Sequence, residues 1–292
     1  MTHHNPIVVG VDDSPSSRSA LYWAVDEATL RQSPLEVVYA WRSMYRTWPG
    51  GPGLVDLAIA SREYGEGRLA SLVAGIQSSD PQTSVTGRLL EGRPSEVLLK
   101  AATAADARML VVGARGVGGF DGLLLGSVGL HVATNAPCPV VVMRVARHPV
   151  GPIVVGVDGS TESKAVLSAA FDEASARNAR LDVIHVLYVH SEAEGVPDRN
   201  AALASARSEA SDSIEQLLAD AKSQYPNVKV RADLPAGYPA EILIRASIEA
   251  SMLVMGSHGG GGFAEMGLGS VAHAVVHHAH CPVLLLRQGA AG

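Results

Sequence analysis

A chain of 292 residues with 47% apolar and 18% charged residues can build one large domain or two of average size, which excludes disorder as a whole-chain reading. A net charge of −6 without a basic cluster argues against nucleic acid as a partner, and apolar runs such as "VVVM" ending at Met143 fall far short of the roughly 20 residues of a membrane span. The opening "MTHHNPIVVGVDDS" lacks the order of a signal peptide, and the two cysteines, Cys138 and Cys281, each stand in a "CPV" tripeptide as copies of one position. A reduced, cytoplasmic setting is therefore expected.

In chain order, β-branched and nearly continuous apolar runs predict strands near 7–11, 35–40, 83–89, 109–113 and 139–144. Between them, helical patterns fall near 15–32, 57–78, 94–105 and 126–135. Pro15 after Ser14 is a good helix opening, as is Thr161 after Ser160. Strand–helix alternation predicts an α/β fold with a parallel sheet and right-handed crossovers.

The same order then begins again. "IVVGVDDSPSSRSALYWAVDEATLRQSPLEVVYAW" from Ile7 and "IVVGVDGSTESKAVLSAAFDEASARNARLDVIHVL" from Ile153 match at 16 of 35 positions without a gap. The segments from Met109 and Met252 match at 18 of 36, and "EGRPSEVLLKAA" is echoed by "AGYPAEILIRAS". This is a tandem duplication, with domains expected at 1–147 and 148–292 and a linker in "VARHPVGP", residues 145–152.

The fourth strand runs into "GARGVGGFDGLLLGSVG", which has seven glycines in seventeen residues and no lysine. A glycine loop at a strand's carboxyl end, opening a helix, lies where α/β sheets bind ligands. Gly113, Gly116, Gly126 and Ser127 recur as Gly256, Gly259, Gly269 and Ser270 at identical spacing. Glycine permits positive φ and brings amides close to a ligand, and a run of such amides with a helix N-terminus can hold an anion. Gly118, Gly119, Gly261 and Gly262, with Val128 and Val271 after the serines, belong to the same candidate cradle. The alternative is a glycine-rich turn in which Ser127 only caps its helix.

G-x2-G-x9-G-[ST] after the fourth strand, with "VVGVD-x-S" on the first, resembles the universal stress protein family, in its ATP-binding, tandem two-domain form. The resemblance covers nearly the whole chain, and the motif is intact twice. It implies two Rossmann-like domains, each a five-stranded parallel sheet in the order 3-2-1-4-5 with helices on both faces. It also implies one adenine nucleotide per domain, ATP with or without Mg2+, between strands one and four. By motif match Gly10 and Asp12, and Gly156 and Asp158, border the adenosine; the backbone near Ala40 and Val186 meets the adenine edge. Asp12 has a compatible second role as a turn or capping carboxylate. The family's single-domain members are expected to dimerise through strand five. The apolar edges "PVVVMR" from Pro139 and "PVLLLR" from Pro282 would then pair within this chain as an internal pseudo-dimer; a homodimer of the chain is also open.

Other signals are weaker. "GLGSVA" from Gly267 fits a dinucleotide pattern but lies well past its strand, and no P-loop is present. His273, His277 and His280 share a helix face; copy one lacks the set, so no metal site is assigned. Arg115 and His258 occupy one loop position and either touch a phosphate or face solvent. "RSMYRTWPGGPG", residues 42–53, predicts a long loop over the crevice. Three functions stay open: a nucleotide-dependent regulator in stress or dormancy adaptation; a slow ATP hydrolase or phosphotransferase in which Asp12 or Asp158 positions Mg2+ or water; and a nucleotide-free interaction module. No general base stands beside the glycine loop, which favours the first, with at most weak ATPase activity.

Overall fold

The computed structural model describes residues 5–42, 54–117, 124–187, 199–259 and 267–287, without the side chains of 54–57 and 199–202. Contacts divide the chain into two compact units, Met1–Arg144 and Val145–Gly292.

In the first unit β1 (Ile7–Val11), α1 (Pro15–Arg31), β2 (Leu35–Trp41), α2 (Leu54–Ser79), β3 (Val85–Glu91), α3 (Pro94–Ala104), β4 (Met109–Gly113), α4 (Ser127–Asn135) and β5 (Val140–Met143) alternate strictly. The strands lie in the order β3-β2-β1-β4-β5, all parallel. Every residue of β1 is buried, as a strand covered on both faces requires. Two glycines show which helices cover which face. A Cβ on Gly87 would touch Leu69 and Val73 of α2, and one on Gly10 would touch Leu98 of α3. Side chains alternate along a strand, so α2 and α3 lie on opposite faces of the sheet.

The second unit repeats the plan with β6 (Ile153–Val157), α5 (Ser163–Ala176), β7 (Leu181–His185), α6 (Arg199–Gln224), β8 (Val230–Asp233), α7 (Pro239–Ala246), β9 (Met252–Gly256), α8 (Ser270–His278) and β10 (Val283–Leu286). Its order is β8-β7-β6-β9-β10. Strand–helix alternation with short returns explains this topology, because each right-handed crossover lays its helix on the sheet.

Local chemistry sets the helix starts. Ser14 is the N-cap of α1, its Oγ accepting from Ser17 N, and Pro15 fills the first position. The second unit departs from expectation here. Residues 161–162 form a turn, and α5 begins at Ser163 after Glu162. Ser160 is not the cap; Ser163 Oγ instead serves the preceding turn, donating to Asp158 Oδ1 and accepting from Gly159 N. Both α3 and α7 open on proline after a left-handed glycine, Gly92 (φ 147) and Gly237 (φ 148), which turns the chain sharply off the sheet.

The predicted linker is not slack. Gly151 N donates to His148 O, and a Cβ on Gly151 would overlap the backbone oxygen of Glu249. Gly151→Ala is therefore expected to destabilise the second unit by about 1–3 kcal/mol, because only backbone can yield. Urea denaturation checks this; an unchanged midpoint would mean that the turn relaxes freely. Cys138 and Cys281 are buried and form no disulfide, and burial pushes the Cys138 thiol up to about 12. No helix among the described residues is long and apolar enough to cross a membrane.

Candidate functional site: paired crevices at the strand ends

The parallel registers bring the ends of β1 and β4 together in one unit, and of β6 and β9 in the other. Beyond β4 the chain is tied to the start of α4. Gly126 N donates to Ala114 O (2.7 Å), and Leu130 N bonds back to Gly126 O. The second unit makes the same tie, Gly269 N donating to Ser257 O (2.8 Å). The helix that follows opens at Ser127 or Ser270, with Gly126 or Gly269 as N-cap. Neither serine caps its helix. Each is an exposed first residue with no side-chain cap bond, which leaves its hydroxyl beside the helix's unsatisfied amides.

The loop glycines work differently from expectation. None of Gly113, Gly116, Gly126, Gly256, Gly259 or Gly269 has positive φ. Their reason is close approach. A Cβ on Gly113 would lie 2.8 Å from the Ser16 backbone, so α1 can reach β4 only over glycine. A Cβ on Gly116 would lie 2.6 Å from Asp12 Oδ2, and one on Gly259 would lie 2.9 Å from Asp158 Oδ2. In both units the strand-one aspartate thus stands against the first turn of the glycine loop.

Asp12 performs the turn role in full. Its Oδ1 accepts from Ser14 N (2.9 Å) and its Oδ2 from Val117 N (3.1 Å), which fastens the β1–α1 turn to the loop. Ser14 Oγ donates to Arg115 O, and Arg115 N donates to Ser16 Oγ, so this loop is held through its backbone. The sequence marks Ser14 as a helix opening but gives Ser16 no role; the polar run "SPSS" after Asp13 is the signal that points to it. Asp158 likewise accepts from Ser160 N (3.0 Å).

In the second unit these residues line a cavity of about 510 Å3. Gly156 and Asp158 come from the β6 end, Gly256, His258 and Gly259 from the β9 loop, and Gly269, Ser270 and Val271 from the α8 start. Val186 and His185 close the β7 side, and Leu243 of α7 supplies an apolar wall packed over Gly156. His258 Nδ1 meets Ser257 Oγ at 3.0 Å; its Nε2 is buried with no hydrogen-bond partner among the described residues. In the first unit Gly10 and Ala40 lie on the β1 and β2 ends, and Val128 follows Ser127 on α4. Gly118, Gly119, Gly261, Gly262 and, apart from Arg42, the segment 42–53 predicted as a loop lie outside the described residues. Rings of His273 and His277 stand 4.5 Å apart, and no group of three metal-ligating side chains occurs among the described residues.

Among the described residues, one cluster belongs to the first unit alone. Asp13 accepts from Arg68 Nε (2.8 Å), Tyr64 OH (3.0 Å) and Tyr39 OH (3.2 Å). Partial burial raises the Asp13 pKa, but the Arg68 and Tyr64 hydrogen bonds and the Arg68 charge outweigh it and hold the carboxyl below its usual value of 3.8. Burial and the Asp13 charge push Tyr39 up to about 12 from 10.0. The cluster's contribution is thus complete between the two unperturbed values. It fades as pH falls through the depressed Asp13 value, and as pH rises above 10 while Tyr39 resists ionisation. Melting of the parent against Tyr39→Phe should show a gap that narrows above pH 10; a constant gap would disprove the linkage.

Against known proteins, the model of the universal stress protein family matches residues 3–144 and again 149–287. A universal stress protein of Mycobacterium tuberculosis is 34% identical over 290 residues, covering 97% of each chain. One of Mycolicibacterium smegmatis is 31% identical over 288 residues, covering 96% of each. Among solved structures, a universal stress protein from Archaeoglobus fulgidus superposes with a TM-score of 0.69 at 21% identity, covering 98% of this chain and 97% of that one. With one family match on each unit and relatives aligned along almost the entire length, the chain belongs to the universal stress protein family, as a tandem of two such domains.

Proposed function

We infer that each unit binds one adenine nucleotide, ATP, and that the protein is a nucleotide-dependent regulator in stress or dormancy adaptation. The observation that carries this reading is the second unit's cavity. At about 510 Å3 it falls within the size range of small-molecule sites, and it joins an apolar wall to a glycine loop and a helix N-terminus. Leu243, Val186 and Met255 offer an apolar bed for a base; Ser270, the α8 amides and His258 surround the place for phosphates. Amide donors and the positive end of a helix suit an anion without a lysine. Mg2+ would enter with the phosphates as their counter-ion.

Native mass spectrometry of protein purified without added nucleotide tests the reading. A retained adenine nucleotide is expected. Protein free of nucleotide that also fails to take up ATP would leave the interaction-module alternative. Timed incubation of the ATP complex then distinguishes a regulator, which keeps ATP, from a slow hydrolase, which accumulates ADP.

A further inference from the structure

Asp12 and Asp13 are adjacent in sequence but fasten different elements at the strand ends of the first unit. Asp12 fastens the glycine loop through Val117 N. Asp13 fastens Tyr39, the neighbour of Ala40 at the β2 end, together with Tyr64 and Arg68 of α2. The helix sits close there: a Cβ on Gly65 would lie 2.8 Å from Leu89 and 3.6 Å from the Tyr39 ring. Three donors from two elements therefore converge on one carboxylate whose backbone neighbour holds the loop. Among the described residues the second unit has no such cluster. Gly159 (φ 81) stands at the Asp13 position and His185 at the Tyr39 position, and the His185 ring meets Val157 O of its own sheet instead (3.1 Å).

We propose that Asp13 is a positioning residue that couples occupancy of the first crevice to the docking of α2, a coupling the second unit lacks. This rests on the nucleotide reading of the crevice. A ligand that orders the Asp12 turn and the β2 end also orders both backbone anchors of the Asp13 cluster, so α2 opens less often when the crevice is filled. By reciprocity, loosening α2 weakens binding in that unit. The two crevices, alike in their glycine motifs, thus report to different surroundings. The first is linked to a long helix; the second is not.

Hydrogen exchange on the full chain, with and without saturating ATP, tests this. In the parent, ATP should slow exchange both in residues 113–117 and in the α2 turns around Tyr64 and Arg68, while α6 responds little. Asp13→Gly, which installs the residue of the second unit, should keep loop protection at saturation. It should lose the α2 response and weaken the first unit's affinity by about fivefold or more. Arg68→Lys, which keeps the charge, should retain part of the α2 response, and Arg68→Met should not. The proposal is overturned if ATP protects the loop but leaves α2 unchanged in the parent. It is equally overturned if Asp13→Gly matches the parent in α2 response and affinity. If ATP protects no loop in either unit, the nucleotide reading falls and this coupling with it.

Discussion

Gly116→Val and Gly259→Val are each expected to abolish nucleotide binding in their own unit while leaving that unit folded. The reason is space. A single Cβ at these positions already comes within 2.6 Å of Asp12 Oδ2 or 2.9 Å of Asp158 Oδ2, and valine adds two methyl groups. The carboxylate must then move, its turn opens, and the branched side chain fills the place where loop amides would face phosphate. Loss of that cradle should weaken binding by about 100-fold or more, since several charge-assisted hydrogen bonds are lost together. Calorimetry on protein stripped of nucleotide gives the measure. The parent should take up about two ATP per chain, one per repeat, and each variant about one. Variants that still bind two would reduce the glycine loop to a turn. Both substitutions lie at the mouth of a loop, so circular dichroism should show the parent's secondary structure.

Phe171→Ala carries the largest expected effect on stability. Phe171 is fully buried on α5, and its ring stacks on Tyr225 at 5.6 Å between centroids. Truncation removes the ring's burial and leaves a void between α5 and Tyr225, at a cost of about 3–5 kcal/mol. A loss of that size consumes much of an ordinary domain's margin. The three tryptophans, Trp23, Trp41 and Trp48, all belong to the first unit. Their fluorescence follows that unit, whereas circular dichroism follows both. The variant should therefore show an early dichroism transition in urea that tryptophan fluorescence does not report. An unfolding free energy within about 0.5 kcal/mol of the parent's would mean that the surrounding helices collapse onto the void.

Much of this protein was legible in one dimension because its strongest signals are periodic and occur twice. Near-continuous apolar strands of five to seven residues, separated by helical patterns, left a parallel sheet as the consistent solution, and the restart at Ile153 fixed two units. The glycine spacing placed a loop at a strand end, and the family's motif turned that place into a nucleotide expectation. What the glycines do was beyond sequence reading. Composition suggested positive φ; the fold instead uses Gly113 and Gly116 for the approach of Ser16 and Asp12, residues about 100 positions away along the chain. Steric need of that kind exists only once the elements pack. The same holds for the start of α5, where Ser160 and Thr161 look like an opening but Ser163 is drawn to Asp158. It holds most for Asp13. Its partners Tyr39, Tyr64 and Arg68 are scattered through the sequence without a motif, and only the laying of α2 over β2 and β3 makes them one cluster. Local pattern determined the repeat, the layers and the strand-end loops, because hydrophobic period and turn chemistry are properties of neighbours in sequence. Tertiary structure alone decided which polar groups meet, because hydrogen bonds across the sheet ends depend on distances that sequence order does not contain.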